Sequence, residues 1–286
     1  KETVRLIDRA LELDVNLIDT ADMYSRGVSE TYISKAIVNR RNRFIIASKV
    51  GMSMRDNSTD VDLSRRHILN AIEDTLRRLK TDYVDLYYAH QFDPSTPLEE
   101  TLRTFEELIL QGKVRYVGCS NFSAGQIETA CEVSRRCGYN PIVVSQSPYN
   151  LIDRSVETEI APCCSSYGLS MMPYSPLAQG VLTGKYRRGE KIPPNTRAWN
   201  NPSKVLAPYM SDDNLAMVGK LDVWAKKRDH CVGELAIAWL LSKPFVCSVI
   251  TAVTSIEQLE ANVRAIEWKL DAKELEELEG ILNSPQ

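Results

Sequence analysis

Four ionisable side chains stand at or just beyond the ends of predicted strands and could together move a proton. Asp19 follows a short apolar strand over residues 15–18, with Tyr24 just beyond it, and Lys49 and His90 come at the ends of the next two strands. A tyrosine, with a pKa of about 10 in water, donates a proton poorly at neutral pH unless a nearby cation favours the phenolate. A lysine in a closed site needs a carboxylate to stay charged. Asp19, Lys49 and Tyr24 supply this arrangement, and His90 could orient a carbonyl oxygen.

Each of these side chains also has a structural interpretation when it is taken alone. Asp19 or its neighbour Asp22 could close a turn or cap a helix, and Tyr24 could be a packed aromatic residue. Lys49 could be a solvated strand end, and His90 a hydrogen-bonded core histidine. The combination of all four at strand ends is what favours catalysis.

The elements that must position these residues alternate along the chain. Short apolar segments are separated by longer segments with helical periodicity, a pattern that predicts right-handed βαβ units and a parallel sheet. The seven predicted strands cover residues 15–18, 44–49, 84–89, 114–119, 142–145, 169–174 and 248–251. A closed parallel barrel needs eight strands, and because the sequence opens on a predicted helix, we expect the missing strand to be the first and to precede Lys1. The alternative doubly wound fold predicts a G-x-G-x-x-G turn, which the sequence lacks.

We therefore predict an α/β fold of the (β/α)8 TIM-barrel type, with the first strand absent from the given sequence and one barrel domain over residues 1–286. The segment 177–212 is rich in Gly, Pro and Asn and is longer than an ordinary connection, which is typical of a functional loop. In such a barrel the reacting groups project from the carboxyl ends of the strands, where the four ionisable residues lie.

Composition excludes several classes of partner. The 286 residues include 35 Lys and Arg against 38 Asp and Glu, a net charge of −3 without charge runs, so neither nucleic acid nor an anionic membrane surface is an expected partner. No apolar segment approaches the length of a membrane span. The seven cysteines are odd in number and form no C-x-x-C pair, which indicates a reducing, cytoplasmic environment. The three histidines lack metal-ligand spacing, and no metal is expected.

Five sequence motifs are distributed between residues 18 and 186. They are residues 18–24 (IDTADMY), 47–51 (ASKVG), 83–90 (YVDLYYAH), 113–122 (KVRYVGCSNF) and 174–186 (YSPLAQGVLTGKY). Together they strongly resemble the aldo-keto reductases, and KVRYVGCSNF is the most specific of the five. The resemblance implies a (β/α)8 barrel that binds NADPH in an extended form without a Rossmann fold and reduces an aldehyde or ketone to an alcohol.

The resemblance also implies roles for individual residues. Asp19, Tyr24, Lys49 and His90 correspond to the catalytic tetrad, with Tyr24 as the general acid. Residues expected to hold the nicotinamide carboxamide are Ser120, Asn121 and Gln146, and Tyr174 is expected to stack on the nicotinamide ring. Residues that match the family's pyrophosphate-binding loop are Ser175, Pro176, Leu177, Ala178, Lys185 and Arg197. Residues expected near the adenosine 2′-phosphate are Thr254, Ser255, Gln258 and Asn262.

Two of these groups have a physical basis and a structural alternative. Lys185 and Arg197 are cations on a Gly-rich segment that could fold over a phosphate, although they could also belong to a merely solvated basic loop. Ser255 and Gln258 have the spacing of a capping box, and a helix N-terminus favours anions. The sequence departs from the family at residues 252–253, where Ala-Val replaces a common Gly and adds a Cβ that restricts positive φ.

A second function remains open, because the potassium-channel β-subunits share the barrel and the loop that ends in Gly-Lys-Tyr. Their pattern has Asn where this chain has His90, which favours a working reductase. A third, a barrel that binds phosphate without nicotinamide, leaves Tyr24 and Lys49 unexplained. The substrate is expected at a rim formed by residues 52–62, 91–97 and 187–212, but its identity and the oligomeric state are not determined by the sequence.

Overall fold

The structure is a computed structural model that describes residues 2–55, 60–200 and 206–283. Strands are β1 (Leu17–Asp19), β2 (Ile45–Val50), β3 (Val84–Ala89), β4 (Val114–Ser120), β5 (Ile142–Gln146) and β6 (Ser170–Met171). Helices are α1 (Glu2–Glu12), α2 (Val28–Ala36), α3 (Arg65–Leu79), α4 (Leu98–Leu110), α5 (Ala124–Cys137), α6 (Ile160–Ser166), α7 (Arg197–Asn200), α8 (Asp212–Lys226), α9 (Val232–Leu241), α10 (Ile256–Arg264) and α11 (Ala272–Leu282). The predicted alternation of strands and helices is confirmed through β6.

One parallel sheet with the strand order β1-β2-β3-β4-β5-β6 contains the six strands found in the described residues. Its register pairs Asp19 with Ala47, Lys49 with Tyr88, and Ser120 with Gln146. Because all strands run in the same direction, their carboxyl ends share one edge. The sheet therefore carries the residues at the ends of β1, β2, β4 and β5 to that edge.

The predicted strand at residues 248–251 is wrong. Those residues have no strand conformation, and the backbone bond found there is from the Ile250 N–H to the Pro173 carbonyl at 2.9 Å. The strand that precedes this segment in the chain, β6, is itself limited to two residues. Pro173 has no N–H to donate, so a continuous ladder cannot extend along this segment. The eight strands of a complete barrel are thus not present among the described residues.

Local signals explain where the helices next to the sheet begin and end. Ser64 starts α3 by accepting a hydrogen bond from the His67 N–H, and Ser123 and Gln126 form a reciprocal capping box at the start of α5. Helix α5 ends at Gly138, whose φ of 70° suits a residue without a Cβ. These boundaries fix the lengths of the connections that bring the chain back to each new strand.

The chain divides into two compact units, which are Lys1–Ser147 with Glu159–Met171, and Pro148–Thr158 with Met172–Gln286. The first unit contains the whole sheet, and its core is built from side chains such as Ile46, Tyr87 and Val117. The second unit is mainly helical, with Leu221 and Trp239 among its fully buried side chains. In the described parts of both units, every helix is too short or too polar to cross a bilayer.

The long loop predicted over residues 177–212 contains short helical turns. They are the 3-10 turns Ala178–Thr183 and Ala207–Tyr209 and the single-turn helix α7. Residues 201–205 of this loop lie outside the described residues.

Candidate active site

Lys49 is the centre of a buried polar cluster in the first unit. Its side chain is completely buried, and its Nζ donates to Asp19 Oδ1, to the Thr20 carbonyl at 2.8 Å and to Tyr24 Oη at 3.3 Å. A buried ammonium is costly unless it is paired and hydrogen-bonded, and these three acceptors satisfy its three protons. The structure thus brings together the carboxylate, ammonium and phenol that the sequence predicted as a proton-transfer set.

Asp19 is held from its other side as well. Gln146, at the end of β5, donates from Nε2 to Asp19 Oδ2 at 2.8 Å. Both carboxylate oxygens are therefore engaged, one by Lys49 and one by Gln146. This arrangement fixes the carboxylate that balances the Lys49 charge.

Tyr24 occupies the accessible side of the cluster. The exposed fraction of Tyr24 is 37%, whereas that of His90 is 6%. The two rings meet edge to face, with centroids 5.8 Å apart and an angle of 75° between the planes. The Tyr24 hydroxyl and the His90 imidazole can therefore meet a small molecule from adjacent positions.

His90 is held in its neutral form. Burial, assisted by the Lys49 cation, lowers the pKa of His90 to about 3. Its Nδ1 is buried and makes no hydrogen bond with the described residues. At neutral pH the imidazole therefore carries one N–H and can donate a hydrogen bond without adding a charge.

Asn121 links the loop that begins at His90, directly after β3, to the ends of β4 and β5. Its Nδ2 donates to the His90 carbonyl at 3.0 Å and to Ser120 Oγ at 3.1 Å, and its backbone N–H donates to the Gln146 carbonyl at 3.1 Å. Asn121 adopts a φ of 58°, a left-handed conformation that Asn tolerates better than most residues. Ser120, Asn121 and Gln146 are thus adjacent, as expected for a group that binds one ligand amide.

Two cations of the second unit meet the turn at Gln179–Gly180. Arg197 donates from Nη1 to Gln179 Oε1. The Lys185 ammonium packs against Gly180, where an added Cβ would lie 3.0 Å from Lys185 Nζ. Both side chains are exposed, and neither forms an ion pair with any described residue. A pair of cations without acidic partners is suited to a phosphate ligand.

Gln179 was missed by the sequence analysis. Its Nε2 donates to Ser175 Oγ at 2.8 Å while its Oε1 accepts from Arg197, so it joins the two ends of the predicted phosphate loop. Gln179 and Ala178 have φ values of 58° and 45°, and Ser175 has 55°. Left-handed backbone at three non-glycine residues stores strain, which is common at ligand-binding turns. The position of Gln179 within the motif of residues 174–186 did not indicate these contacts.

Asn150 fixes the start of the same loop by donating from Nδ2 to the Ser175 carbonyl at 3.1 Å. Tyr174 forms a parallel bridge with Pro148 and is partly exposed. Pro176 and Ala178 are buried, whereas Leu177 is partly exposed. These contacts place the loop residues on a fixed segment of the second unit.

The predicted capping box at α10 is only half right. Ser255 Oγ accepts from the Gln258 N–H at 3.3 Å, as predicted. Gln258 Oε1, however, accepts from the N–H and hydroxyl of Thr254, at 2.9 and 3.2 Å, and not from the Ser255 N–H. Asn262 lies further along the same helix and is partly exposed. Thr254 and Gln258 therefore satisfy each other locally.

The loops that follow β2 and β3 are held by contacts to backbone groups within the first unit. Met52 and Val61 form an antiparallel bridge that closes the loop after β2, and residues 56–59 of this loop lie outside the described residues. Asp93 ties the loop after β3 to the segment before α3, because its Oδ2 accepts from the Leu63 N–H at 2.8 Å. Within the described residues, no group of three or more His, Cys, Asp or Glu side chains could hold a metal ion.

Comparison with known proteins shows the family. The sequence profile of the Aldo/keto reductase family matches residues 1–283. The chain belongs to the aldo/keto reductase family. The resemblance inferred from the five motifs is confirmed. Membership of this family supports an oxidoreductase activity of the carbonyl-reducing type. It also supports a nicotinamide cofactor and a small-molecule substrate.

The relatives of this chain include proteins named as potassium channel subunits and proteins named as enzymes. A probable voltage-gated potassium channel subunit beta of Oryza sativa subsp. japonica is 37% identical over 93% of this chain and 82% of its own length. The aldo-keto reductase YhdN of Bacillus subtilis is 33% identical over 99% of this chain and 84% of its own. The solved structure of the glycerol dehydrogenase AKR11B4 from Gluconobacter oxydans is 30% identical, with a TM-score of 0.83 over 98% of this chain and 84% of that one.

Proposed function

We propose that the protein reduces an aldehyde or ketone to an alcohol with NADPH and that Tyr24 is the general acid. The observation that carries this proposal is the position of the Lys49 ammonium, 3.3 Å from Tyr24 Oη and paired with Asp19. A cation at this distance stabilises the phenolate left behind when Tyr24 gives up its proton. As the barrel is typical of the family, we also propose that residues 1–286 belong to a single domain of the (β/α)8 barrel type.

The residues around Tyr24 have different roles in proton delivery. Tyr24 donates its proton to the carbonyl oxygen, and Lys49 compensates the resulting negative charge. Asp19 keeps Lys49 charged and in place, and Gln146 holds Asp19. NADPH, when bound, supplies the hydride for the carbonyl carbon.

His90 is assigned to orientation of the substrate. As a neutral imidazole it can donate a hydrogen bond to the carbonyl oxygen beside Tyr24. A protonated His90 would place a second cation beside Lys49, and the low pKa of His90 prevents this. Two uncharged donors thus converge on one oxygen.

Cofactor binding is assigned to residues from four parts of the chain. Ser120, Asn121 and Gln146 would bind the carboxamide, and Tyr174 would stack on the nicotinamide ring. Lys185 and Arg197 would bind the pyrophosphate, with Ser175, Pro176, Leu177 and Ala178 forming the supporting turn. Thr254, Ser255, Gln258 and Asn262 would bind the 2′-phosphate that distinguishes NADPH from NADH, since the helix dipole favours an anion at the N-terminus of α10. Lys185 and Arg197, which form no ion pair with any described residue, support the fit.

The direct test measures NADPH and NADH oxidation across a panel of aldehydes and ketones, with the alcohol product identified by chromatography. We expect turnover with NADPH that depends on the carbonyl compound. Absence of any alcohol product from protein that binds NADPH would contradict the proposal.

The phosphate assignment is tested by the double variant Lys185→Ala, Arg197→Ala. Each lost charge-assisted bond is worth about 1.5–3 kcal/mol, so the loss of both should weaken NADPH binding by at least about a hundredfold, with little change in turnover at saturation. Arg187→Ala, which removes another exposed cation of the same loop, is the matched control. Unchanged affinity in a fluorescence titration of the double variant would refute the assignment.

A second candidate is a cofactor-binding regulatory subunit. It is favoured by the relatives from rice and other organisms that are named as potassium channel β-subunits. Weak turnover on the whole carbonyl panel, together with tight binding to a voltage-gated potassium channel, would favour this candidate. Efficient turnover without channel binding would exclude it. For either function we propose a cytoplasmic location, on the cysteine usage of the sequence.

A further inference from the structure

Asp22 is a buried carboxylic acid that the proposed mechanism does not use. Its backbone N–H donates to the Lys49 carbonyl at 3.3 Å, and the residue retains 3% of its exposure. Its Oδ1 is buried and makes no hydrogen bond with the described residues. A carboxyl group in this position is costly to ionise unless a cation compensates it.

The cations around Asp22 are already paired with other carboxylates. Lys49 pairs with Asp19, and Arg78 of α3 pairs with Glu30 of α2 through Nε and Oε2 at 2.6 Å. Glu30 is completely buried and also accepts from Ser48 Oγ at 2.7 Å. Three carboxyl groups thus share two cations, and Asp22 forms no ion pair in the part of the chain that the structure describes. The cluster would carry an uncompensated negative charge if Asp22 were ionised.

The remaining titratable neighbour cannot relieve this imbalance. Tyr87 of β3 is completely buried, and its hydroxyl has no hydrogen-bond partner among the described residues. Burial, together with the charges of Asp22 and Glu30, raises the pKa of Tyr87, so it stays neutral. For Asp22 itself, burial and then the Glu30 carboxylate raise the pKa to about 7, and these outweigh the Met23 N–H, Arg78 and Lys49, which lower it.

We propose that Asp22 is a positioning residue for the reduction proposed above, in which the charge of its buried carboxyl group, in the same cluster as Lys49 and without an ion-pair partner among the described residues, controls how readily Tyr24 gives up its proton. Asp22 acts through Lys49, not by touching the substrate. When Asp22 is neutral, the Lys49 charge is shared between Asp19 and the developing phenolate of Tyr24. When Asp22 ionises, an added negative charge beside Lys49 opposes the phenolate and slows proton delivery.

The proton on Asp22 can be measured without any activity. Because the folded protein holds this proton up to about pH 7 and an unfolded aspartic acid loses it near 3.8, the stability due to neutral Asp22 is present below 3.8 and lost as pH rises to about 7. Asp22→Asn lacks this titration. The Tm of the variant, relative to the natural protein, should therefore rise from about pH 5 to about pH 7 and level off above.

Asp93→Asn is the matched control. Asp93 is equally buried at 3%, but hydrogen bonds from the Leu63 N–H and from Ser95 and Thr96 outweigh burial and lower its pKa to about 2. Its contribution is present above 3.8 and is lost only towards about pH 2. The Tm difference of Asp93→Asn should therefore be constant between about pH 5 and about pH 8. A flat profile for Asp22→Asn as well would overturn the proposal.

The catalytic part is tested by the pH dependence of kcat at saturating NADPH and carbonyl substrate. The natural protein should lose rate several-fold as pH rises through about 7, and Asp22→Asn should not show this loss. If Asp22→Asn retains the same loss, the proposal is overturned even when reduction itself is observed. If no reduction is observed but the Tm profiles differ as expected, the proposed function fails and the titration of Asp22 stands. A 13C NMR titration of the Asp22 carboxyl in the natural protein gives the same answer if the variant does not fold.

Discussion

Replacing Lys49 with Met should destabilise the protein strongly, because it leaves Asp19 as a buried carboxylate without its cation. The Lys49 side chain is 0% exposed and that of Asp19 is 8% exposed. After the change, the remaining hydrogen bond to Asp19 known from the structure is the one from Gln146 at 2.8 Å. Removing one partner of a buried ion pair costs about 3–5 kcal/mol, and we expect a loss of this size.

Neutralising Asp19 in the same chain should restore part of that loss. The double variant Asp19→Asn, Lys49→Met has no unpaired buried charge, so it should be more stable than the sum of the two single changes predicts. A coupling of about 1–3 kcal/mol is expected for groups in direct contact. The four proteins are compared by urea unfolding at neutral pH, with the free energy of unfolding extrapolated to water.

Lys113→Met is the control for loss of a lysine charge. The Lys113 ammonium pairs with Glu73, but the two side chains are 32% and 53% exposed. An exposed pair contributes about 1 kcal/mol or less, so the control should be nearly as stable as the natural protein. If Lys49→Met costs no more than Lys113→Met, or if the Asp19 and Lys49 changes are additive, the buried-pair reasoning is refuted.

Two further predictions concern packing and protonation. Gly118→Ala should lower stability by about 1–3 kcal/mol in thermal melting, because its Cβ would lie 2.7 Å from the Tyr88 ring. Gly219→Ala, in open space within α8, should instead raise stability by about 0.5–1 kcal/mol. The ring resonances of His90 should show no titration in NMR between about pH 8 and about pH 5, since its pKa of about 3 lies below that range. The stability due to neutral His90 is therefore present above 6.5 and lost as pH falls towards about 3.

The sheet-edge positions could be predicted because they depend on local pattern alone. Asp19 and Lys49 end apolar segments that are typical of buried parallel strands, and parallel strands place their ends at one edge. The strand predicted at residues 248–251 is wrong because a strand needs a partner with which to form a ladder of hydrogen bonds. β6 is short and is followed by Pro173 two residues later. An apolar run does not reveal that its partner is absent.

The Asp22 cluster could not be predicted for a different reason. Arg78 lies 48 residues from Glu30 along the chain, and no spacing rule relates α2 to α3. Only the fold shows that Arg78 forms its ion pair with Glu30 and that Asp22 has no ion-pair partner among the described residues. The Gln258 side chain likewise accepts from Thr254 and not from the Ser255 N–H. The S-x-x-Q spacing does not determine which of these two partners the side chain contacts.

Tyr24→Phe tests the central claim most directly, with Tyr32→Phe, an exposed tyrosine of α2, as the matched control. The hydroxyl is removed and the ring is kept, so NADPH affinity in a fluorescence titration should stay within a few-fold. A single-turnover mixture of the Tyr24→Phe protein, NADPH and a carbonyl compound turned over by the natural protein should form no alcohol, whereas Tyr32→Phe should form it at the natural rate. Alcohol formation by Tyr24→Phe at a rate near that of the natural protein would contradict the assignment of Tyr24 as the general acid.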